Sequence, residues 1–317
     1  MNRSSAKSDL VSVVVRTKDR PRLLAQALDS LAKQTHQPLE AVVVNDGGAG
    51  VEDVVGAFAG RVTYRLVDLH PGRGRSAAAN AGIAAAVGAW IAFLDDDDLL
   101  VPDGVATLVA AAEGRECVPY GRVDAYFHPA DAAPRLFRVF NHPFDASLLL
   151  FENYIPFNAC LIPAALLRAL GGLDERLECF EDWDLFLRLS DRVPFRHVDD
   201  QVAEYRIFDQ AFITGRGGQE HQHRGRVAVF TKHAHRYTPE ALSRMQYAVK
   251  VDAAAAEHAA AALESSVRER DARLTAGSAE LADVTRRLDE AERTLKAIES
   301  SRGWRLVQGV RRLLSRR

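Results

Sequence analysis

Trp90-Ile91-Ala92-Phe93-Leu94-Asp95-Asp96-Asp97-Asp98 is the stretch on which the fold of this chain turns. Gly88 and the five apolar residues Trp90–Leu94 predict a short buried strand. Four carboxylates follow at once, at the strand's C-terminal end, where open α/β sheets place their ligand sites. Adjacent anions repel one another and resist burial, so this end calls for a positive partner. Hard carboxylate oxygens suit Mg²⁺ or Mn²⁺, usually shared with substrate phosphates. An isolated Asp run reads first as a solvated acidic turn; the flanking sequence reverses that reading.

Immediately upstream, His70-Pro71-Gly72-Arg73-Gly74-Arg75-Ser76 is a basic, glycine-rich loop leading into an alanine-rich helix over Ala77–Val87. Such a loop at a helix N-terminus is compatible with phosphate binding. Further back, Leu10–Val15 and Leu39–Val44 are buried-strand patterns. Between them Leu23, Leu24, Ala27, Leu28 and Leu31 recur at helical spacing, with Pro21 in the first turn and Asp19 or its neighbours as cap. This β-α-β unit predicts parallel strands with a right-handed crossover. Its second strand ends in Asn45-Asp46-Gly47-Gly48, which puts Asp46 on the same rim as Asp95–Asp98. Val51–Phe58 reads as a helix and Val62–Val67 as a strand.

Downstream, Leu99–Glu113 reads as a helix carrying Pro102, and Val118–Ala125 as a strand. Residues 127–152 show no clean period and read as irregular and substrate-facing. Pro163–Leu170 is a short helix stopped by Gly171-Gly172. Glu181, Asp182 and Asp184 fall in the first turn of a helix through Leu189, where the macrodipole favours acids even without a catalytic role. Strands are expected near Phe195–Val198 and Val202–Ile207, and Gly215–Gly225 reads as a mobile lid.

The 317 residues carry a formal net charge of −2, which argues against bulk nucleic-acid binding. Cys117, Cys160 and Cys179 are far apart and odd in number, fitting neither a disulfide framework nor a zinc knuckle; they suggest a reducing compartment. No secretory signal is read in the polar residues 1–9 and the short run Leu10–Val15. Ala77–Leu94 approaches the length of a membrane span, but Asn80, Gly82, Gly88 and the terminal Asp run favour a helix followed by a strand.

After about residue 240 the composition shifts towards Ala, Glu and Arg. Val267, Leu274, Leu281, Leu288 and Leu295 recur every seven residues, with Val284, Ala291 and Ile298 three residues after the later members. That is an a/d seam, weakened at Arg270 and Gly277, and it predicts a coiled coil or helical hairpin over 241–301. Residues 302–317 hold six Arg and no acid. As a helix they would lie on an anionic membrane surface or pack on a subunit.

In this order, the pieces resemble the family 2 glycosyltransferases. The matching text is Val11–Thr17 with Pro21–Leu24, Leu28–Leu31 with Gln34-Thr35, Leu39–Gly47, Asn80–Ile83, Gly88–Asp98, Gly171–Glu175 and Glu181–Leu189. The likeness spans roughly residues 10–210. Two departures are Ala79, where the family often has Arg, and Asn45, where it often has Asp. The resemblance implies an α/β, GT-A fold, a Rossmann-like nucleotide-binding sheet with helices on both faces, over residues 1–240.

It also implies residue roles. Thr17 and Asp46 hold the nucleoside, Arg75 contacts the base or diphosphate, and Asp95–Asp97 form the DXD element with Asp96 between. Asp97 contacts Mn²⁺ or Mg²⁺, with Asp95 nearer the ribose and donor sugar. Asp182, or else Glu181, is the general base of an inverting transfer from a nucleoside-diphosphate sugar to a hydroxyl of a glycan or lipid-linked acceptor. Trp183 is either acceptor wall or core aromatic, and His221 and His223 either touch metal or diphosphate or are solvated. The setting implied is surface polysaccharide assembly, cytoplasmic or peripheral on the inner membrane face, with homo-oligomer or complex contacts through the coiled coil.

Two other readings compete. A sugar-1-phosphate nucleotidyltransferase is discounted because Arg16–Arg22 contains no glycine. A non-catalytic assembly protein working through its coiled coil is opposed by the intact Asp46, Asp95, Asp97 and Asp182.

Overall fold

The structure is a computed structural model that describes residues 10–208 and 218–300. The chain divides into two compact units, Met1–Ala248 and Val249–Arg317.

The first unit is built on β1 (Val11–Thr17), whose seven residues are all buried. A strand covered on both faces needs no alternation, which is why it reads as a continuous apolar run. β1 pairs in parallel with β2 (Leu39–Asn45) on one side and β4 (Trp90–Asp95) on the other; β2 pairs in parallel with β3 (Thr63–Asp68). With the short antiparallel β8 (Ile162–Pro163), the sheet order is β3-β2-β1-β4-β8. Strand order reverses at β1/β4, the crevice where such sheets bind ligands. Register aligns Arg16 with Asp95 and Thr17 with Asn45, so the candidate residues share one rim.

Helix α1 (Pro21–Ala32) starts on its proline, as expected, but lacks a side-chain cap. Asp19 instead sits at φ 55 and its Oδ1 accepts from the amide of Ala49 at 2.8 Å. α2 (Glu52–Gly56) and α3 (Arg75–Ala85) complete the crossovers. Gly82 lets α3 lie close on the sheet: a Cβ there would stand 2.3 Å from Val14 Cγ1.

The second sheet runs β5-β9-β6-β7. Here three expectations need correction. Leu99–Glu113 is not one helix: Leu99–Leu100 form β5 and pair with β9, and Pro102 precedes α4 (Gly104–Ala112). Residues 127–152 are not irregular: they hold β7 (Arg135–Phe140), which pairs with β6 (Val118–Phe127), and α5 (Ala146–Phe151), capped by Asp145. The two strands expected after 195 are one, β9 (Phe195–Ile207), parallel to β6 with register shifts on either side of Arg122. α6 (Ala164–Ala169) and α7 (Glu181–Ser190) lie between β8 and β9. Of the expected lid, residues 219–225 open a helix, α8 (Gln219–Lys232); residues 209–217 lie outside the described residues.

α9 (Pro239–Ser300) is a single 62-residue helix. Val267, Leu274, Val284 and Leu288 of the seven-residue repeat are exposed on it. The basic segment 302–317 lies outside the described residues. Among the described residues no helix is long and apolar enough to cross a membrane.

Candidate active site

The site begins with a buried cation. Arg16, at the tip of β1, forks onto Asp95: Nε donates to Oδ1 at 2.7 Å and Nη2 to Oδ2 at 2.9 Å. Its Nη1 reaches Glu181 Oε1 at 3.2 Å. Arg75, at the start of α3, faces the same two acids, 3.4 Å from Glu181 and 3.7 Å from Asp95. Burial opposes ionisation of Asp95, but Arg16 and Arg75 outweigh it and hold this carboxyl below the ordinary range.

The other three aspartates face different partners. Asp96 accepts from Thr17 Oγ1 at 2.7 Å and from Arg20 at 3.2 Å. Asp97 accepts from the same Arg20 nitrogen at 2.8 Å and is part-exposed. Asp98 is buried and accepts from the amide of Arg206 at 2.9 Å and from Asn158 Nδ2 at 3.0 Å. Burial raises the pKa of all three. The Asp95 charge adds to it at Asp97, and Asp97 and Asp95 push Asp98 well above the ordinary range.

Asp46 holds the basic loop rather than open space: Oδ1 accepts from the amide of Arg73 at 2.6 Å and Oδ2 from that of Gly74 at 3.0 Å. Two elements expected to meet the nucleotide are thus joined.

α7 is aimed by strain. Phe180, its N-cap, has φ 62, a left-handed conformation costly for an aromatic residue. Behind it Asp182 Oδ2 accepts from Asn153 Nδ2 at 2.9 Å and Oδ1 from the amide of Trp183 at 2.8 Å. Burial, then the Glu181 charge, push Asp182 up to about 6 despite these donors and Arg75. A carboxyl tuned there is ionised at neutral pH yet basic enough to take a proton. From the other side of α7, fully buried Asp184 accepts from Arg188, Lys232 and His233 at 2.7–2.9 Å. Arg236 donates to His233 Nδ1 at 3.0 Å, so Nε2 carries the proton given to Asp184. This network fastens α8 to the helix that carries Asp182.

A cavity of about 500 Å³ is lined by Arg75, Asp95, Glu181, Asp182, Trp183 and His221. Trp183 is fully buried and its Nε1 donates to Leu149 O at 2.6 Å, yet it also lines the cavity. His221 stands 3.4 Å from Glu178 and His223 is exposed on α8. Thr17, Asp46, Asp96 and Asp97 do not line the cavity; they lie along the adjoining rim. Sequence reasoning missed Arg16, Arg20, Asn153 and Asn158 as site residues. The available signal was Arg16 itself, a cation closing a run of buried residues, which needs an acid on a neighbouring strand.

Among the described residues no three His, Cys, Asp or Glu side chains converge as a closed metal cage. A Mn²⁺ or Mg²⁺ completed by diphosphate oxygens needs only one or two carboxylates. Asp97 fits that donor set: it is part-exposed, beside Asp95, whose charge a cation would offset.

Residues 12–168 match the family model Glycosyl transferase family 2. A PGL/p-HBAD biosynthesis glycosyltransferase of Mycobacterium bovis is 29% identical over 205 residues, 63% of this chain and 77% of the relative. Among solved structures, Staphylococcus aureus TarS 1-349 superposes with TM-score 0.50 at 18% identity, over 62% of this chain and 60% of that one. The mannosyltransferase PcManGT of Pyrobaculum calidifontis, solved with GDP-Man and Mn²⁺, gives 0.53 at 20% identity, over 75% and 68%. Residues 12–168 are thus similar to a glycosyltransferase family 2 domain, and the fold resembles that of GT-A glycosyltransferase structures.

Proposed function

We propose that this chain is an inverting glycosyltransferase acting on a nucleoside-diphosphate sugar and a hydroxyl acceptor. The observation that carries the reading is Asp182, held by Asn153 in the cavity it shares with Asp95 and Arg75 and tuned to about 6. Asp182 takes the proton of the acceptor hydroxyl as that oxygen attacks the anomeric carbon. The bond from the anomeric carbon to the diphosphate breaks and its electron pair leaves on the nucleoside diphosphate. One base suffices for this single displacement. Glu181, paired with Arg16 and Arg75, positions those cations. Arg75 meets the diphosphate, exchanging Asp95 and Glu181 for phosphate oxygens. Thr17 and Asp46 border the nucleoside at the β1 and β2 tips. Asp97, with Asp95, would hold Mn²⁺ or Mg²⁺, which offsets the leaving group's charge when bound. The PcManGT complex with GDP-Man and Mn²⁺ supports donor class and metal alike.

The acceptor in this reading is a glycan or lipid-linked hydroxyl in surface polysaccharide assembly; the mycobacterial relative's name, a PGL/p-HBAD biosynthesis glycosyltransferase, supports a biosynthetic transfer. The exposure of Val267, Leu274, Val284 and Leu288 on α9 supports self-association as a coiled coil. In a parallel pair with Leu281 at an a position, Arg287 and Glu292 fall at g and e and attract across the seam. Leu288→Asp should then lower the sedimentation mass of the full chain; an unchanged mass contradicts the seam. The reaction itself is tested by melting the protein against nucleoside diphosphates and their sugars with Mn²⁺. Saturation at about 100 times the dissociation constant adds about 2.7 kcal/mol. A metal-dependent shift with one nucleotide is expected; no shift with any of them contradicts the reading.

A further inference from the structure

Helix α8 turns one side towards α7, and the character of that side changes along its length. Val229 is buried, and His233, just past the helix's last residue, bonds Asp184. Gly225 lets the helix close on α7: a Cβ there would stand 2.2 Å from Cys179 Sγ and 2.9 Å from Phe180 Cδ2. Around and before Gly225 the same side presents Arg226, Gln222 and His221, and all three line the catalytic cavity. Gln222 and Arg226 are neighbours at i, i+4. A helix side that anchors at one end and turns polar where it crosses a cavity faces a ligand or water there, not a core.

Arg226 is a cation of this cavity whose charge no acid takes up among the described residues. Arg75 is shared by Glu181 and Asp95, and His221 stands 3.4 Å from Glu178. Arg226 is half-buried, with its guanidinium 5.9 Å from the centre of the Phe180 ring. No ion pair joins it to a described acid, Glu152 of the same cavity included. Nor does it tune the base: the leading charges acting on Asp182 are those of Glu181 and Arg75. A guanidinium is a planar fork matched to carboxylate and phosphate oxygens, and an aromatic face holds it without consuming its N–H donors. Its place decides which substrate it meets. Phe180 caps the helix whose first turn carries Asp182, so Arg226 stands on the side of the base, where the acceptor hydroxyl must come. The donor diphosphate falls instead to Arg75, at the rim of β1 and β4.

We propose that Arg226, with Gln222 beside it, binds an oxyanion on the acceptor, a sugar carboxylate or a phosphate, and so selects acidic acceptors. This rests on the transfer reading and names the acceptor's chemistry. The test is a ligand-observed NMR titration of the full chain with three sugars that differ only at C6: glucose, glucuronate and glucose 6-phosphate. The donor side is first filled with the nucleoside diphosphate and Mn²⁺ that shift its melting. If no nucleotide shifts the melt, the transfer reading fails, while the same three sugars titrated on the protein alone still report on Arg226. One of the two anions should bind on the order of tenfold more tightly than glucose, and which one it is tells an acidic sugar from a phosphorylated acceptor. Arg226→Gln should bring that anion down to the level of glucose without changing nucleoside diphosphate binding. Arg226→Lys, which keeps the charge but not the fork, should retain part of the preference. Arg224→Gln, exposed on the same helix, should retain all of it. Glucose binding as tightly as both anions overturns the proposal, as does a preference that survives in Arg226→Gln. So does a loss of nucleoside diphosphate binding in Arg226→Gln, which would give this arginine to the donor.

Discussion

Replacing Asp182 by Asn should separate catalysis from stability in a pH-dependent way. Burial and Glu181 raise the Asp182 pKa from the ordinary aspartate value to about 6, which costs the ionised form about 3 kcal/mol. The folded pKa lies above the unfolded one, so the native state holds this proton more tightly. The group's contribution is most favourable below the unfolded pKa and is lost as pH rises through about 6. Between about pH 4.5 and 7.5 that loss is about 2 kcal/mol in the wild type and absent in the Asn variant. Against it, Asn offers one carbonyl where Asp182 offers two oxygens, to Asn153 Nδ2 and the Trp183 amide. One donor then faces an amide, at a cost of about 1–3 kcal/mol at every pH. The melting temperature of Asp182→Asn relative to wild type should therefore climb by roughly 4–8 °C between those pH values, while turnover falls by roughly 10²–10⁴-fold. Thermal melts at paired pH values and a nucleoside-diphosphate release assay read the two effects. Wild-type turnover should itself fall as pH drops through about 6. A pH-independent melting difference, or a variant that keeps its turnover, would refute the assignment of Asp182 as a strained base.

Arg16→Met should destabilise the fold by about 3–5 kcal/mol in denaturant titration, because it strands Asp95 and buried Glu181 without this cation. Asp97→Ala should raise the Mn²⁺ concentration for half-maximal turnover at least ~10-fold with little change in the metal-free melting temperature, since its one ion pair is with a half-exposed arginine. Gly225→Ala puts a methyl 2.2 Å from Cys179 Sγ and 2.9 Å from Phe180 Cδ2. It should cost about 1–3 kcal/mol in melts and lower turnover by displacing the residue that aims Asp182.

β1, β2 and β4 of the central sheet were legible because they are almost wholly buried and show as largely apolar runs between Pro, Gly and Asx punctuation. The second sheet was not. Leu99-Leu100 is too short to show any period, and Pro102 within an otherwise apolar stretch disguised the strand-to-helix change. β7 has exposed residues almost throughout, so neither alternation nor an apolar run marks it. The site divides the same way. Its acids stand out as a run of four and as the first turn of a helix, and Asp46 as a strand-end acid before two glycines. Their partners stand out less: Arg16 meets Asp95 across 79 positions and Glu181 across 165, and only its place at the end of a buried run hints that an acid must face it. Asn153 and Asn158 fell between residues 152 and 163, where no element was read, and were reachable only once the acids' hydrogen bonds were located in space. The helix α8 was hidden by a Gly- and Gln-rich start, and its packing rests on Lys232 and His233, whose acceptor Asp184 lies about fifty residues earlier.

The most direct test incubates the full chain with Mn²⁺ and each of a panel of uridine-, guanosine- and thymidine-diphosphate sugars, and follows nucleoside diphosphate release by mass spectrometry. Release from one donor class, abolished by chelation and by Asp182→Asn, is the predicted result. No release from any donor, or release undiminished in Asp182→Asn, would contradict glycosyl transfer at this cavity.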